Sequence, residues 1–187
     1  MEYVKDKERT AYTSLKGAFG YGNAMQAPRL AKVVVSVGTG SVKDAKKIEV
    51  IQDRLMKITG QKSAARSAKK SIATWKTRAG DTIGFQVTLR GQRMYDFLNR
   101  LLAIALPRTK DFRGIVPTAV DGMGNLTIGI KEHTIFPETA DEDIREVFGL
   151  AVTIVTTARS ADEARAFLMH VGVPFRKDGT SAEKKPQ

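Results

Sequence analysis

Residues 61–91 read QKSAARSAKKSIATWKTRAGDTIGFQVTLRG. The second half decides the architecture. From Ile83 to Arg90 the side chains alternate: Ile83, Phe85, Val87 and Leu89 on one side, Gly84, Gln86, Thr88 and Arg90 on the other. That period of two predicts a strand with one buried and one wet face. The first half predicts a short polar strand over Gln61 to Arg66 and a loop over residues 67–80. Between Gln61 and Gly80 there are six Lys or Arg and no Asp or Glu, with Trp75 among them. A cationic loop growing from a strand with a polar outer face suits the gripping of nucleic acid.

The surrounding chain sharpens this. Its 187 residues, 42% hydrophobic and 27% charged, suffice for one domain with a real core. Cysteine is absent, so no disulfide framework or thiolate metal site is expected, which suits a reducing compartment. No secretory signal is expected at the start. The longest apolar run, Leu101 to Leu106, is too short to span a membrane. The net charge of +11 is unevenly spread: residues 61–114 hold 12 basic and 3 acidic groups, whereas residues 115–172 hold 4 and 9. A nearly acid-free basic stretch is a footprint of phosphate binding.

In chain order, a helix is predicted over Lys5 to Ala18, interrupted by Gly20, Gly22 and Pro28. The β-branched run Ala31 to Val37 predicts a strand, with Val33, Val35 and Val37 facing a core and Lys32, Val34 and Ser36 facing away. Gly38-Thr39-Gly40 invites comparison with a dinucleotide-binding turn, but Lys43 holds the third glycine position and no phosphate-loop Gly-Lys-Ser/Thr follows, so a plain turn is expected. Asp44 caps a predicted helix reaching Thr59, with Ile48, Ile51, Leu55 and Ile58 as its apolar stripe; Lys46, Lys47, Arg54 and Lys57 lie elsewhere on the helix, most of them solvated. A second helix is predicted over Gln92 to Ala105, ended by Pro107. Ile115 to Val120 reads as an edge strand because of Pro117. Leu126 to Lys131 and Leu150 to Thr157 read as strands. Pro137 to Asp143 reads as an acidic loop running into a short helix. Ser160 and Glu163 form a capping box opening a helix that carries Ala164, Phe167, Leu168 and Val171. A polar tail follows from Arg176.

Strands buried on both faces would read as continuous apolar runs. These alternate, so the fold class expected is α/β (α+β): a single-domain open-faced sandwich, its mostly antiparallel sheet covered by helices on one face. The other face, carrying Lys32, Ser36, Gln86, Thr88, Arg90, Thr127 and Lys131, stays open. No aromatic stacking pair marks those positions, so RNA would be held by phosphate, ribose and shape contacts. Trp75 either stacks on a base or pins the loop.

Several motifs then resemble one family. Thr59-Gly60-Gln61-Lys62, Ala68-Lys69-Lys70-Ser71-Ile72-Ala73, Val87-Thr88-Leu89-Arg90-Gly91, Leu106-Pro107-Arg108, Asp111-Phe112-Arg113-Gly114 and Ile135-Phe136-Pro137-Glu138 resemble, in family order, bacterial large-subunit ribosomal protein five, the 5S-rRNA-binding family. The resemblance covers roughly Pro28 to Phe175. It implies a curved-sheet domain over 28–175; the helix and linker over residues 1–27 and the polar tail over 176–187, read from the residues, flank it. It implies residence in the central protuberance, with 5S rRNA, large-subunit rRNA and other central-protuberance proteins as partners. Its 5S-rRNA positions match Ser36, Gln61 and Thr88 here; Lys32, Lys62, Gln86 and Arg90 complete the candidate set. Ser36 departs from the usual asparagine, which shortens its reach. The family's long loop approaches the P-site tRNA, and the matching candidates are Arg66, Lys69, Lys70, Ser71, Trp75, Lys76 and Arg78, with Trp75 where phenylalanine is usual. A contact with a small-subunit head protein falls to Lys110, Asp111, Arg113, Glu138 and Asp141. Met123 and Phe148 each replace a usual arginine.

No enzyme, cofactor, membrane partner or small-molecule substrate is expected. His133 and His170 read as packing or surface residues. Glu138, Asp141, Glu142 and Asp143 read as a solvated acidic loop rather than a metal site. A general RNA chaperone or assembly factor would share the charge pattern but bind any RNA.

Overall fold

The structure, a computed structural model, describes residues 3–42, 44–139 and 147–176. Asp141, Lys43, the short helix expected after Pro137 and all but the first residue of the polar tail lie outside them.

Five strands form one sheet: β1 (Leu30–Gly38), β2 (Ala64–Ser67), β3 (Thr82–Leu89), β4 (Leu126–Ile130) and β5 (Leu150–Thr156). Their order is β2-β3-β1-β5-β4, and every neighbouring pair is antiparallel. The helices are α1 (Val4–Phe19), α2 (Ala45–Thr59), α3 (Gly91–Arg100), the single turn α4 (Leu106–Arg108) and α5 (Ala161–Val171). Among the described residues no helix is long and apolar enough to cross a membrane.

The alternation seen in the sequence is the alternation of burial. Val33, Val35 and Val37 of β1, Phe85, Val87 and Leu89 of β3, and Leu126, Ile128 and Ile130 of β4 are buried. They meet Leu55 and Ile58 of α2, Met94, Phe97 and Leu98 of α3, and Phe167 and Leu168 of α5 in one core. Thr88, Thr127 and Gly129 on the opposite side are exposed. The sheet is therefore open on one face, as an open-faced sandwich requires. Ile83 departs from the pattern: it is 38% exposed, because the start of β3 runs beyond the helix layer toward the basic loop. Gly84 is needed there, since a Cβ would stand 2.6 Å from the Val37 carbonyl oxygen.

Caps follow the local chemistry. The Asp44 side chain accepts from the Lys46 N–H at 3.0 Å to open α2, and Gly60 closes it at φ 68°. Ser160 accepts from the Glu163 N–H at 3.3 Å. Glu163 answers one residue earlier than a capping box would, taking the Arg159 N–H at 2.7 Å, and its other oxygen takes the Tyr21 hydroxyl at 2.6 Å.

Three expectations are corrected. Pro107 does not stop the helix. After Arg100 the chain widens into a π-turn over Leu101–Ala105, the Leu106 N–H donating to the Leu101 carbonyl, and helical geometry continues through Pro107 to Arg108. The wider turn accommodates a residue with no N–H to give. Ile115 to Val120 is not a strand: Pro117–Ala119 form a 3-10 turn, flanked by isolated bridges from Ile115 to Phe175 and Val120 to Leu126. Arg54 is not solvated but 5% exposed, its guanidinium 3.4 Å from the ring of the fully buried His133. That ring stacks on Phe148 at 4.2 Å, which gives the phenylalanine at 148 a packing role.

Candidate nucleic-acid interface

The site begins with strand register. Ser36 lies directly opposite Gln86, and Gln86 opposite Ala64 on the far neighbour. One step along, Val34 lies opposite Thr88 on one side and Thr153 on the other. Across β5, Ala151 pairs with Gly129, and Thr153 with Thr127. The open face thus divides: the β2-β3-β1 half carries Ser36, Gln86 and Thr88 around the apolar Val34 and Ala64, and the β5-β4 half carries Ala151, Thr153, Thr127 and Gly129.

The polar half is held in place before any ligand arrives. Arg66 Nε donates to Gln86 Oε1 at 2.6 Å, which joins the base of the basic loop to the sheet and leaves the Gln86 amide N–H groups to donate outward. The Gln61 amide, oriented to satisfy both ends, donates to the Thr88 carbonyl at 3.2 Å and accepts from Arg93 at 2.9 Å. Gln61 is thereby spent on positioning β3, and the Thr88 hydroxyl is the part left facing solvent. Lys62 and Arg90 are exposed and Lys32 is half-buried. Arg90 occupies the N-cap of α3 in extended conformation.

Residues 67–80 are a folded finger rather than a plain loop. The Ala68 N–H donates to the Asp81 carbonyl at 2.8 Å and the Gly80 N–H to Ala68 at 3.0 Å. Further out Ile72 and Thr77 form a bridge. Ala73–Trp75 make a 3-10 turn, closed by Lys76 in the left-handed region at φ 51°. Ser71 Oγ accepts from the Ala79 N–H at 2.9 Å, and Asp81 Oδ2 from the Arg78 N–H at 2.8 Å. Ser71 is therefore a brace. Lys69, Lys70, Lys76 and Arg78 are exposed. Trp75 is 71% exposed, so it does not pin the finger and its ring is open for stacking.

The remaining candidates separate. Lys110, Asp111 and Arg113 are exposed on the connection after α4, where Asp111 adopts φ 55°. Glu138 is half-buried and paired with Arg100, whose Nη2 also donates to the Ile58 carbonyl at 3.1 Å. Through Arg100, Glu138 is tied to the C-terminal part of α2.

Residues 23–78 match the family model described as Ribosomal protein L5, and residues 82–175 match the model of that ribosomal family's C-terminus. The chain belongs to the ribosomal protein L5 family. It is 49% identical over 173 residues to the large ribosomal subunit protein uL5 of Anaeromyxobacter sp. (strain K), covering 92% of this chain and 95% of that one. It is 48% identical over 179 residues to the uL5 of Desulforamulus reducens, covering 95% and 99%, and 52% identical over 164 residues to that of Desulfatibacillum aliphaticivorans, covering 87% and 92%.

Two residues of this L5 chain's site escaped the sequence reading. Arg93 orients Gln61 from the first turn of α3, and no spacing rule links a helix residue to a loop 32 positions earlier. Asp81 is the brace of the finger. Its signal was visible as the first carboxylate after the acid-free run, where an Asp accepts local N–H groups.

Proposed function

We propose that this chain, a structural and non-enzymatic constituent of the large ribosomal subunit in the bacterial cytoplasm, binds 5S rRNA on the β2-β3-β1 half of its open sheet. The carrying observation is the juxtaposition of an uncovered polar face with a braced cationic finger, linked by the Arg66–Gln86 hydrogen bond. Ser36, Gln86 and Thr88 supply neutral donors and acceptors for ribose and base edges. Lys32, Lys62 and Arg90 supply phosphate contacts. The finger carries Lys69, Lys70, Lys76, Arg78 and the exposed Trp75 toward the P-site tRNA. Lys110, Asp111 and Arg113 meet a small-subunit head protein, where charge complementarity sets orientation.

Binding isotherms on 5S rRNA and on a scrambled RNA of equal length, taken across a salt series, test this. About three phosphate contacts predict that log affinity for 5S rRNA falls with log salt at a slope of roughly −2 to −3, with 5S rRNA bound more tightly throughout. Equal affinity for both RNAs would indicate a general chaperone. A salt-insensitive interaction would reject the phosphate contacts.

A further inference from the structure

A cleft of about 330 Å³ lies between α1 and α3, lined by Lys5, Glu8, Arg9 and Tyr12 of α1, Arg29 just before β1, and Tyr95 of α3. These elements belong to the helix-covered side, whereas Gln86 and Thr88 project from the other. Glu8 is the one carboxylate in the lining, and both of its oxygens are engaged. Oε2 accepts from the Tyr95 hydroxyl at 2.7 Å and Oε1 from the Leu30 N–H at 3.2 Å. Two of the cations have contacts away from Glu8: Lys5 Nζ stands 6.0 Å from the Tyr95 ring centroid, and Arg29 Nη2 donates to Met25 Sδ at 3.1 Å. Positive charge therefore exceeds negative in a concave wall that also presents the half-buried Tyr12 ring. Beyond Lys5 and Tyr95, a neighbouring depression carries Asp6 and Asp96, which would repel phosphate and so bounds the cationic region on that side.

Guanidinium groups suit the paired oxygens of a phosphate, and an aromatic face suits a base. The volume is at the small end of ligand clefts, which run about 300–1,000 Å³, and matches one nucleotide rather than a helix.

We propose that this cleft holds a single unstacked nucleotide from an RNA segment other than the one on the sheet, with Arg9, Arg29 and Lys5 on its phosphate and Tyr12 against its base. The protein then grips RNA from both sides. The contrast between two RNA segments rests on the sheet reading above, and the probes are 5S rRNA and the long large-subunit rRNA transcript.

The full chain carrying Arg9→Ala and Arg29→Ala should bind the long rRNA about tenfold or more weakly, with a salt slope shallower by roughly 1–2, and bind 5S rRNA as before. Tyr12→Ala should weaken the long rRNA several-fold, while Tyr12→Phe keeps the ring and the affinity. A benzophenone crosslinker at position 12 should attach to the long rRNA. Melting temperatures make any misfolded variant visible, and the crosslink needs neither arginine removed. Unchanged affinity and slope, equal losses on both RNAs, crosslinks confined to 5S rRNA, or capture of free AMP in place of RNA would each overturn the proposal. Success here with 5S rRNA binding absent would sink the sheet reading alone.

Discussion

Thr88 concentrates the argument at the scale of one residue. Its backbone carbonyl is taken by Gln61, its strand neighbours Leu89 and Val87 are buried, and only its hydroxyl faces outward. Thr88→Val keeps the β-branched shape that β3 favours and removes that hydroxyl. Cognate RNA should bind more weakly by about 1–3 kcal/mol, the cost of leaving an RNA polar group unpaired in a dry interface. The melting temperature should hold, because the site is exposed. Titration of wild type and variant against 5S rRNA reads this directly, and equal affinities would remove Thr88 from the interface. Ser36, shorter than asparagine, sits opposite Gln86. On the proposed sheet site, the longer Gln86 amide, held by Arg66, would supply the reach that the serine lacks.

The finger is the element on which the tRNA assignment turns. Its base is closed by the Ala68–Asp81 and Gly80–Ala68 backbone bonds, and its core contacts are few, since nearly every residue from 69 to 80 is exposed. Removing Ala68 to Thr77 should therefore leave the sheet folded and 5S rRNA affinity within about twofold, while chemical footprints on P-site tRNA change in ribosomes carrying the variant. Loss of cooperative melting would show that the finger is structural instead. This element also marks the limit of what could be read from the residues. The strands were legible because burial on one face writes itself as alternation, and α2, α3 and α5 because it writes itself at helical spacing. The finger's inner bonds join polar residues such as Ser71 and Asp81 to backbone N–H groups, which leave no periodic trace. Pro107 and Pro117 misled in opposite ways: a missing N–H can be absorbed by a wider helical turn or start a 3-10 turn, and the residue type alone does not choose. Arg54 was legible and passed over, because it stands between Ile51 and Ile58 on the buried stripe of α2, where a charged residue must find partners inside.

Across the whole molecule, two tyrosines fasten the N-terminal region to the rest. Tyr95 of α3 donates to Glu8 of α1, and Tyr21 of the linker donates to Glu163 of α5. Burial, reinforced by the hydrogen bond to each carboxylate, pushes Tyr95 up to about 12 and Tyr21 higher still, from an ordinary value of 10.0. Folded-state values raised in this way mean that the unfolded chain gives up these protons first. Their contribution to stability is complete below pH 10 and drains away as the pH rises through the folded values. Alkaline pH acts on more than these two phenols, so the parent protein alone is not diagnostic. The comparison that isolates the tyrosines is the parent against the double variant Tyr21→Phe, Tyr95→Phe. At pH 7 the variant should be less stable by about 1–3 kcal/mol, because two hydrogen bonds are lost and buried acceptors stay behind. Between pH 10 and 11.5 the gap should narrow, since the variant has no phenols at these positions to ionise. Urea midpoints across that range measure it, and two curves falling in parallel would show that neither hydroxyl carries the proton that fastens the N-terminal region to α3 and α5.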